Sequence, residues 1–255
     1  MTVHLLGTGS ANAGPDRTTT MLAVEHGGRL VVVDCGGDVV QRMLACGLDP
    51  LALDALILTH EHPDHISGYP LMLEKLWLLG RREPIPVYGP APTLDKAKAL
   101  FAVFDTGKWH GMPGRSFHEV DLDEGAPVVS MGGLTVTACP VDHPVPTIGL
   151  RFETDDAVLA YSCDTAECEA VARFGEGADV LIHEATGSLP GVHASAEEAA
   201  GIAARAGARR LVLVHTPADL PRLDDARDRF ADTEWGHDGD CIEVGMAEAV
   251  GHASA

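Results

Sequence analysis

The sequence predicts an α/β fold in which two β-sheets pack face to face and helices cover their outer sides. Apolar runs of strand length and segments of helical periodicity follow one another as strands, helices, strands and helices, which gives two broadly similar halves. Hydrophobic residues make up 45% of the 255 residues, enough for a large core. No low-complexity linker or run of charge divides the chain, so we expect a single domain over residues 1–255.

Periodicity and turn residues define the elements of the first half. They predict a strand at 3–6, a hairpin of strands 21–24 and 30–33, a helix at 39–46, a strand at 53–58, a helix at 66–79, a short strand at 84–90 and a helix at 93–105. The loop that follows, residues 106–118, combines tryptophan with basic residues. This loop could form one wall of a site for an anionic substrate, or it could be a surface loop with a packed tryptophan.

The second half is predicted in the same way, with more antiparallel pairing. Its elements are a hairpin of strands 128–131 and 134–139, a strand pair at 148–152 and 158–162, a helix at 166–174, a strand at 180–182, a helix at 196–206 capped by Ser195, a strand at 211–214, a helix at 219–231 and a closing strand at 241–244. Residues 245–255 are expected to be weakly ordered.

One stretch directly after an apolar strand concentrates metal-type ligands. Three histidines and one aspartate lie within six positions, in His60-Glu61-His62-Pro63-Asp64-His65. Residues two apart in an extended chain face the same way, so His60 and His62 can converge on one point. A helix that starts just beyond can direct Asp64 and His65 to a second point. Imidazole and carboxylate suit zinc, manganese or iron(II), although a solvated polar turn would also accept these residues.

The same kinds of ligand recur after other predicted strands, at His143, Asp164 and His215. Strand ends in a layered α/β fold gather along one edge, where clefts form. With the four residues above, these ligands suffice for two metal ions. Asp164 could also serve as the cap of the next helix. The neighbouring Cys163 is best interpreted as a small buried strand residue and not as a ligand.

Asp34 is a candidate for a supporting role. It ends the strand at 30–33 and two glycines follow shortly after it. A carboxylate in that place could orient a metal-bound histidine through a hydrogen bond. It could also cap the helix at 39–46.

Composition limits the partners and the compartment. A formal net charge of −20 would repel polyanions, so we expect no strong nonspecific binding of nucleic acid. No stretch reaches membrane-spanning length and the N-terminus resembles no export signal, which points to the cytoplasm and to no membrane contact. The six cysteines form no CxxC pair and are expected to be reduced thiols, mostly buried.

These motifs resemble those of the metallo-β-lactamase-fold hydrolases, and the wider chain is most similar to the branch that holds ribonuclease Z and related phosphodiesterases. The resemblance extends over nearly the whole chain, through Gly7-Thr8-Gly9-Ser10, the histidine motif, the Asp164 segment, His183-Glu184-Ala185-Thr186 and His193-Ala194-Ser195. It implies an αββα sandwich of two mixed β-sheets flanked by helices. It also supports Asp34 as a residue that orients a ligand.

The resemblance further implies which residues hold which ion. The two ions are expected to be zinc, although manganese or iron would also fit. The first is assigned to His60, His62 and His143. The second is assigned to Asp64, His65 and His215, and Asp164 is expected to bridge both together with a water or hydroxide. Asp64 is also expected to accept the proton of the attacking water.

In the same branch a glutamate in the His-Glu-Ala-Thr segment pairs with a downstream histidine near the leaving group. The matching residues are Glu184 and His193. Glu184 would fix the tautomer of His193, which could then protonate a leaving alkoxide. The alternative for His193 is an ordinary residue at the start of a helix.

The function implied is a dinuclear metal-dependent phosphodiesterase. Only twenty residues separate His143 from Asp164, so the long basic arm with which tRNA-processing members grip tRNA is absent. A small or cyclic phosphodiester, or an RNA 3′ end, is therefore the expected substrate. The alternatives are hydrolysis of a lactone, ester or thioester, and a non-catalytic metal-binding protein. Relatives of this branch often form homodimers, and we expect one here.

Overall fold

The computed structural model describes residues 1–245, which form two seven-stranded sheets and seven α-helices. The first sheet consists of β1 (Thr2–Gly7), β2 (Met21–His26), β3 (Arg29–Val33), β4 (Leu53–Ile57), β5 (Ile85–Gly89), β6 (Arg115–Glu119) and β14 (Cys241–Glu243). The second consists of β7 (Ala126–Met131), β8 (Leu134–Pro140), β9 (Ile148–Glu153), β10 (Val158–Tyr161), β11 (Val180–Glu184), β12 (Leu211–Val214) and β13 (Thr233–Trp235).

The helices are divided between the outer sides of the two sheets. Those of the first sheet are α1 (Val39–Ala45), α2 (Pro63–Ile66), α3 (Tyr69–Leu78) and α4 (Ala91–Ala102), and those of the second are α5 (Glu169–Phe174), α6 (Ala196–Ala206) and α7 (Asp224–Arg229). None of the helices within residues 1–245 is long and apolar enough to cross a membrane.

Alternation along the strands builds the layers, because successive side chains point to opposite faces of a sheet. Val31 and Val33 of β3 join the core between the sheets, whereas Val32 packs under the helices of the first sheet. In β12, Val212 faces the central core and Leu213 packs against the helices of the second sheet. Helix, sheet, sheet and helix therefore form four layers, and the predicted fold class is confirmed.

Both sheets are mixed, and their strand directions bring several strand ends to one edge. Strands β3 to β6 run parallel, as do β10 to β13, and β8 points the same way as β10 because β9 is antiparallel to both. The edges of the two sheets adjoin there. The amide of Ile148 donates to the carbonyl of Thr59 at 3.3 Å, and that of Ser10 donates to Thr216 at 2.9 Å.

The helix predicted at 66–79 is wrong, because the chain forms two helices with a break at Ser67 and Gly68. A Cβ atom at Gly68 would collide with the carbonyl oxygens of Gly37 and Cys35, so the break fits the chain closely against the loop after β3.

Other predicted boundaries need smaller corrections. The predicted loop at 106–118 contains the edge strand β6, and β13 was not predicted. Helix α4 lies at 91–102 instead of 93–105, α5 begins at Glu169 instead of 166, and α7 covers only 224–229 of the predicted 219–231. The expectation of weak order at 245–255 falls, apart from Gly245, outside the described residues.

Candidate metal centre

Three histidines from two sheets meet at the shared edge. His60 and His62 follow β4 and His143 follows β8, and their side chains supply one nitrogen each to a common point. The Nε2 atom of His60 lies 3.1 Å from Nδ1 of His62, and that Nδ1 atom lies 3.2 Å from Nε2 of His143. Ligand nitrogens about 2.0–2.1 Å from a tetrahedral cation are about 3.3 Å from one another, so this spacing fits a bound divalent ion.

A second group of ligand atoms forms next to the first. It contains Asp64, His65 and His215, with the Nε2 atom of His215 3.3 Å from Oδ2 of Asp64 and that of His65 3.6 Å from the same oxygen. Asp64 and His65 both lie on the short helix α2. Pro63 favours the start of this helix at its first position, and the helix directs both side chains towards the site. The motif of six residues thus supplies ligands to both groups.

Asp164 connects the two groups. Its Oδ2 atom lies 3.3 Å from Nε2 of His215, 3.5 Å from Nε2 of His65 and 3.8 Å from Nε2 of His60. The alternative of Asp164 as a helix cap is wrong, because α5 begins five residues later behind Cys168. One carboxylate oxygen thus lies within reach of histidines of both groups, as a bridging ligand would require.

The buried polar atoms at this edge support cation binding. The Nε2 atom of His65 and the Oδ1 atom of Asp164 are buried and have no hydrogen-bond partner among the described residues, which would be costly without a ligand. Burial, with the nearby histidines, lowers the pKa of His60 well below its usual range, and burial also lowers that of His143. Both imidazoles are therefore held neutral, the form that binds metal.

Cys163 also lies among these residues, with Sγ 3.6 Å from Nδ1 of His60. Burial and the neighbouring carboxylate of Asp164 raise the pKa of its thiol well above the usual range. Cys163 is therefore a small buried residue, as expected, although it lies two residues beyond β10 and not within the strand. All six cysteines are free, although only Cys35, Cys139 and Cys163 are fully buried.

Asp34 is hydrogen-bonded to one of the candidate ligand histidines, on the side of the ring away from the site. Its Oδ2 atom accepts a hydrogen bond from Nδ1 of His65 at 2.8 Å, and its two oxygens also accept the amide and hydroxyl of Thr59, both at 2.8 Å. The alternative of Asp34 as a helix cap is wrong, because Asp38 caps α1. Buried Asp34 fixes the tautomer that leaves Nε2 of His65 free for a cation.

Two other ligand histidines are oriented in the same way. The hydroxyl of Thr186 lies 2.7 Å from Nδ1 of His215 and donates to the carbonyl of the same residue at 2.8 Å. Nδ1 of His143 donates to the carbonyl of Val192 at 2.8 Å. In each case the Nε2 atom is left to face the site. Thr186 and Val192 were not predicted, since a hydroxyl and a backbone carbonyl leave no spacing signal in the sequence.

Backbone strain is concentrated at the same edge. Among the described residues, the non-glycine residues with positive φ are Asp34, Cys163 and His215, at 61°, 55° and 50°. Each of them directly follows a strand or lies one residue beyond it, and each costs about 1–3 kcal/mol. Close packing of the loops must hold them in this conformation.

His193 and Glu184 form a pair beside both groups. The Nδ1 atom of His193 lies 2.8 Å from Oε1 of Glu184, and the His193 ring is centred 5.5 Å from the rings of both His143 and His215. Burial acts to lower the pKa of His193, but the hydrogen bond and charge of Glu184 outweigh it and raise that pKa. The fully buried carboxylate also accepts the amide of Thr165 at 2.7 Å.

The local structure explains why His193 reaches this place. Ser195 and Glu198 form a capping box at the start of α6, as the sequence predicts for Ser195. The two ends of the loop between β11 and the cap are joined by the amide of Gly187, which donates to the carbonyl of Ala194 at 3.0 Å. His193 is therefore an oriented, half-buried side chain and differs from an ordinary residue at a helix start.

The sequence matches the model of a family described as the beta-lactamase superfamily domain over residues 29–216. Curated relatives are named ribonuclease Z. That of Mycobacterium bovis is 33% identical over 272 aligned positions, which cover 95% of both chains. That of a Mycobacterium species (strain KMS) is 36% identical and covers 84% of this chain and 83% of the relative.

Solved structures share the fold. The metallo-β-lactamase-fold protein YhfI from Bacillus subtilis superposes with a TM-score of 0.79 and 23% identity, covering 94% of this chain and 98% of that one. The short form of human tRNase Z superposes with a TM-score of 0.80 and 22% identity, covering 96% of this chain and 100% of that one. At this level of sequence identity, the two structures support a shared fold and nothing more.

Proposed function

Because the chain belongs to the metallo-β-lactamase superfamily and to its ribonuclease Z-like hydrolases, we propose that it is a dinuclear metal-dependent phosphodiesterase. The observation that carries the choice of phosphodiester chemistry is the Glu184–His193 pair beside two groups of metal-type ligands. Metal ions alone would serve many hydrolytic reactions on this fold. A positioned histidine that can deliver a proton suits a leaving alkoxide, which is a strong base, and the relatives named ribonuclease Z favour a phosphodiester over a carboxylic ester as its source.

Two divalent cations, of which zinc fits the nitrogen-rich ligands best, would be held by the two groups. His60, His62 and His143 would hold the first, Asp64, His65 and His215 the second, and Asp164 would bridge them. When bound, such a pair lowers the pKa of a water and offsets negative charge on phosphoryl oxygens. The spacing of the ligand atoms and the two unpartnered buried atoms support this assignment.

The protein residues would handle the protons. Asp64 is partly exposed at the site, and its hydrogen bond with His215 helps to lower its pKa against the effect of burial. As a carboxylate it can accept a proton from the attacking water. His193 keeps its Nδ1 proton bonded to Glu184, so Nε2 is the atom that can hold a proton for the leaving oxygen.

The substrate class follows from shape and charge. Between His143 and Asp164 the described chain contains only β9, β10 and their turns, with no protruding arm. The net charge of −20 also disfavours a large polyanion. We therefore expect a small or cyclic phosphodiester or a short RNA 3′ end. The Mycobacterium bovis relative named ribonuclease Z aligns over 95% of its own length, so RNA ends belong among the substrates to be tested.

The proposal is tested by hydrolysis of bis(p-nitrophenyl) phosphate, a lactone and a β-lactam on protein of measured metal content. We expect turnover of the phosphodiester that chelator abolishes and that two equivalents of metal restore. Turnover of the lactone or lactam alone would contradict phosphodiester chemistry. Full binding of two metals without turnover of any substrate, including cyclic nucleotides and short RNA, would favour a non-catalytic metal protein.

Two further expectations belong to the same proposal. The acidic chain should not retain unrelated duplex or single-stranded nucleic acid at physiological salt, which filter binding measures. The chain should form a homodimer, as expected from its branch, and light scattering at micromolar concentration would give the mass of two chains.

A further inference from the structure

A cavity of ≈ 280 Å³ lies on the outer side of the first sheet. It lies between α3, α4 and β6, and no residue of the two ligand groups lines it. Its lining contains no carboxylate, although the chain carries a net charge of −20. The side chains that matter are Tyr69, Lys98, Phe101, Thr106, Arg115 and Phe117.

The two cations of this cavity are stacked on aromatic rings. The guanidinium carbon of Arg115 lies 4.7 Å from the centre of the Phe101 ring, and Nζ of Lys98 lies 4.9 Å from that of Phe117. Arg115 donates only to the carbonyl of Pro113, at 3.4 Å, and forms no ion pair within residues 1–245. Both cations are thus positioned by the rings, and Arg115 keeps most of its donors free.

Lys98 has one acidic neighbour, Asp95, at 3.0 Å. Both side chains are exposed and lie three positions apart on α4, so this pair contributes little and can exchange for another anion. It does not neutralise Arg115. The cavity therefore presents two cations and at most one weakly held carboxylate.

The hydroxyl of Tyr69 gives an independent indication of a ligand. Tyr69 is fully buried, and its hydroxyl has no hydrogen-bond partner among the described residues. Burial raises the pKa of this phenol, so the group stays a proton donor at neutral pH. An unpaired buried hydroxyl is costly, and an acceptor in the cavity would remove that cost.

We propose that this cavity binds a small phosphorylated compound with a flat ring, of the nucleoside monophosphate class. The phosphate would lie between Lys98 and Arg115, where a guanidinium can donate two parallel hydrogen bonds, and would accept the Tyr69 hydroxyl. The ring would pack against Phe101 or Phe117, since every nucleobase has a face that stacks on an aromatic side chain. The small volume fits a mononucleotide better than a longer chain. This site does not depend on the proposed hydrolysis.

Isothermal titration calorimetry of the metal-loaded protein with adenosine 5′-monophosphate, inorganic phosphate and adenosine tests the site. Arg115→Gln and Lys98→Gln should each weaken the monophosphate by about tenfold or more, because each removes a charged donor. The control is Lys96→Gln, which removes the same charge from the exposed side of α4 and should leave the affinity unchanged.

Tyr69→Phe separates binding from folding. It removes a hydroxyl that has no partner within residues 1–245, so the melting temperature should stay the same or rise while the monophosphate binds several-fold more weakly. Equal affinities in the wild type, Arg115→Gln and Lys98→Gln would place all binding at the metal centre and overturn the proposal. Phosphate or adenosine binding as tightly as the monophosphate, or no binding of the monophosphate, would also overturn it.

Discussion

Nδ1 of His193 and Oε1 of Glu184 lie 2.8 Å apart, with the histidine half-buried at the site and the glutamate fully buried behind it. His193 also forms a cluster with Asp164 and His215, and the bond to Glu184 leaves its Nε2 atom free. A histidine fixed in this way can act at a leaving oxygen without being needed to hold a metal. Replacement of His193 by alanine separates these two roles.

His193→Ala should lower kcat on a dinucleotide by about 10²–10⁴-fold, the usual contribution of a general acid. The loss should be much smaller on bis(p-nitrophenyl) phosphate, because p-nitrophenolate leaves without protonation. Metal content should be unchanged. Steady-state kinetics on both substrates and metal analysis check this prediction.

The Glu184→Gln variant supplies the matching control. If Glu184 acts through His193, the double variant His193→Ala, Glu184→Gln should be no slower than His193→Ala alone. Equal losses on both substrates, or loss of metal in His193→Ala, would show that His193 is a ligand or a structural residue.

Asp34→Asn should weaken metal binding by about 10–100-fold, as is usual for a residue that orients a ligand. Asparagine tolerates the positive φ of this position, but its amide would oppose Nδ1–H of His65 and disturb the tautomer. Competition with a chelating dye measures the affinity.

The matched control is Asp38→Asn, four residues further on. Asp38 caps α1 and pairs with Lys75, and it touches no ligand histidine. Asparagine caps a helix about as well as aspartate, so Asp38→Asn should change the stability by less than about 1 kcal/mol and keep the metal affinity of the wild type. If both variants lose affinity alike, Asp34 has no special role in orienting His65.

The sequence predicted those parts of the site that leave a spacing signal. His60, His62, Asp64 and His65 each follow an apolar strand closely, and strand ends meet at one edge in a layered fold. Thr186 and the carbonyl of Val192 were missed because nothing in their residue types distinguishes them from other loop residues. The positive φ of Asp34 was likewise invisible.

The errors in the fold also have physical causes. Strands β6 and β13 lie at the ends of their sheets, so they pair on one side only and need not be apolar. The break at Gly68 interrupts a continuous apolar pattern because the loop after β3 must pass close to the backbone there. Tertiary contacts determine both the edge strands and the helix break, and the local sequence does not encode those contacts.

Removal of metal should destabilise the fold. An ion that binds only the folded chain adds about 2.7 kcal/mol at a hundred times its Kd, which corresponds to about 5–10 °C in Tm for a chain of this size. Adding zinc to chelator-treated protein should raise Tm by at least this amount, measured by scanning fluorimetry.

Two variants test whether the described site is responsible. His62→Gln should remove most of the zinc-induced rise, since it deletes a ligand of the first group. His110→Gln replaces an exposed histidine outside both groups and should keep the full rise. A rise that survives in His62→Gln would place the stabilising ion elsewhere.

His183 should make the free energy of unfolding depend on pH. Burial lowers the pKa of this fully buried histidine from its usual 6.5 to about 4, against the opposing effects of the Glu184 carbonyl and the charges of Glu198 and Glu167. As pH falls below about 6.5, the unfolded chain takes up a proton that the folded chain refuses. The contribution of His183 to the free energy of unfolding is therefore fully present above about pH 6.5. It is lost progressively towards pH 4, by about 2 kcal/mol between pH 7 and pH 5.

Urea unfolding of the wild type and of His183→Asn at pH 7, 6 and 5 measures this term. The amide of asparagine can replace Nδ1–H as the donor to the Glu184 carbonyl, and it does not titrate. The other histidines are common to both proteins, so the difference between the two pH slopes isolates His183. The variant should lose about 2 kcal/mol less than the wild type over this range, whatever its stability at pH 7. Parallel curves would mean that His183 takes up its proton in the folded chain, which its buried Nε2 atom without a partner makes unfavourable.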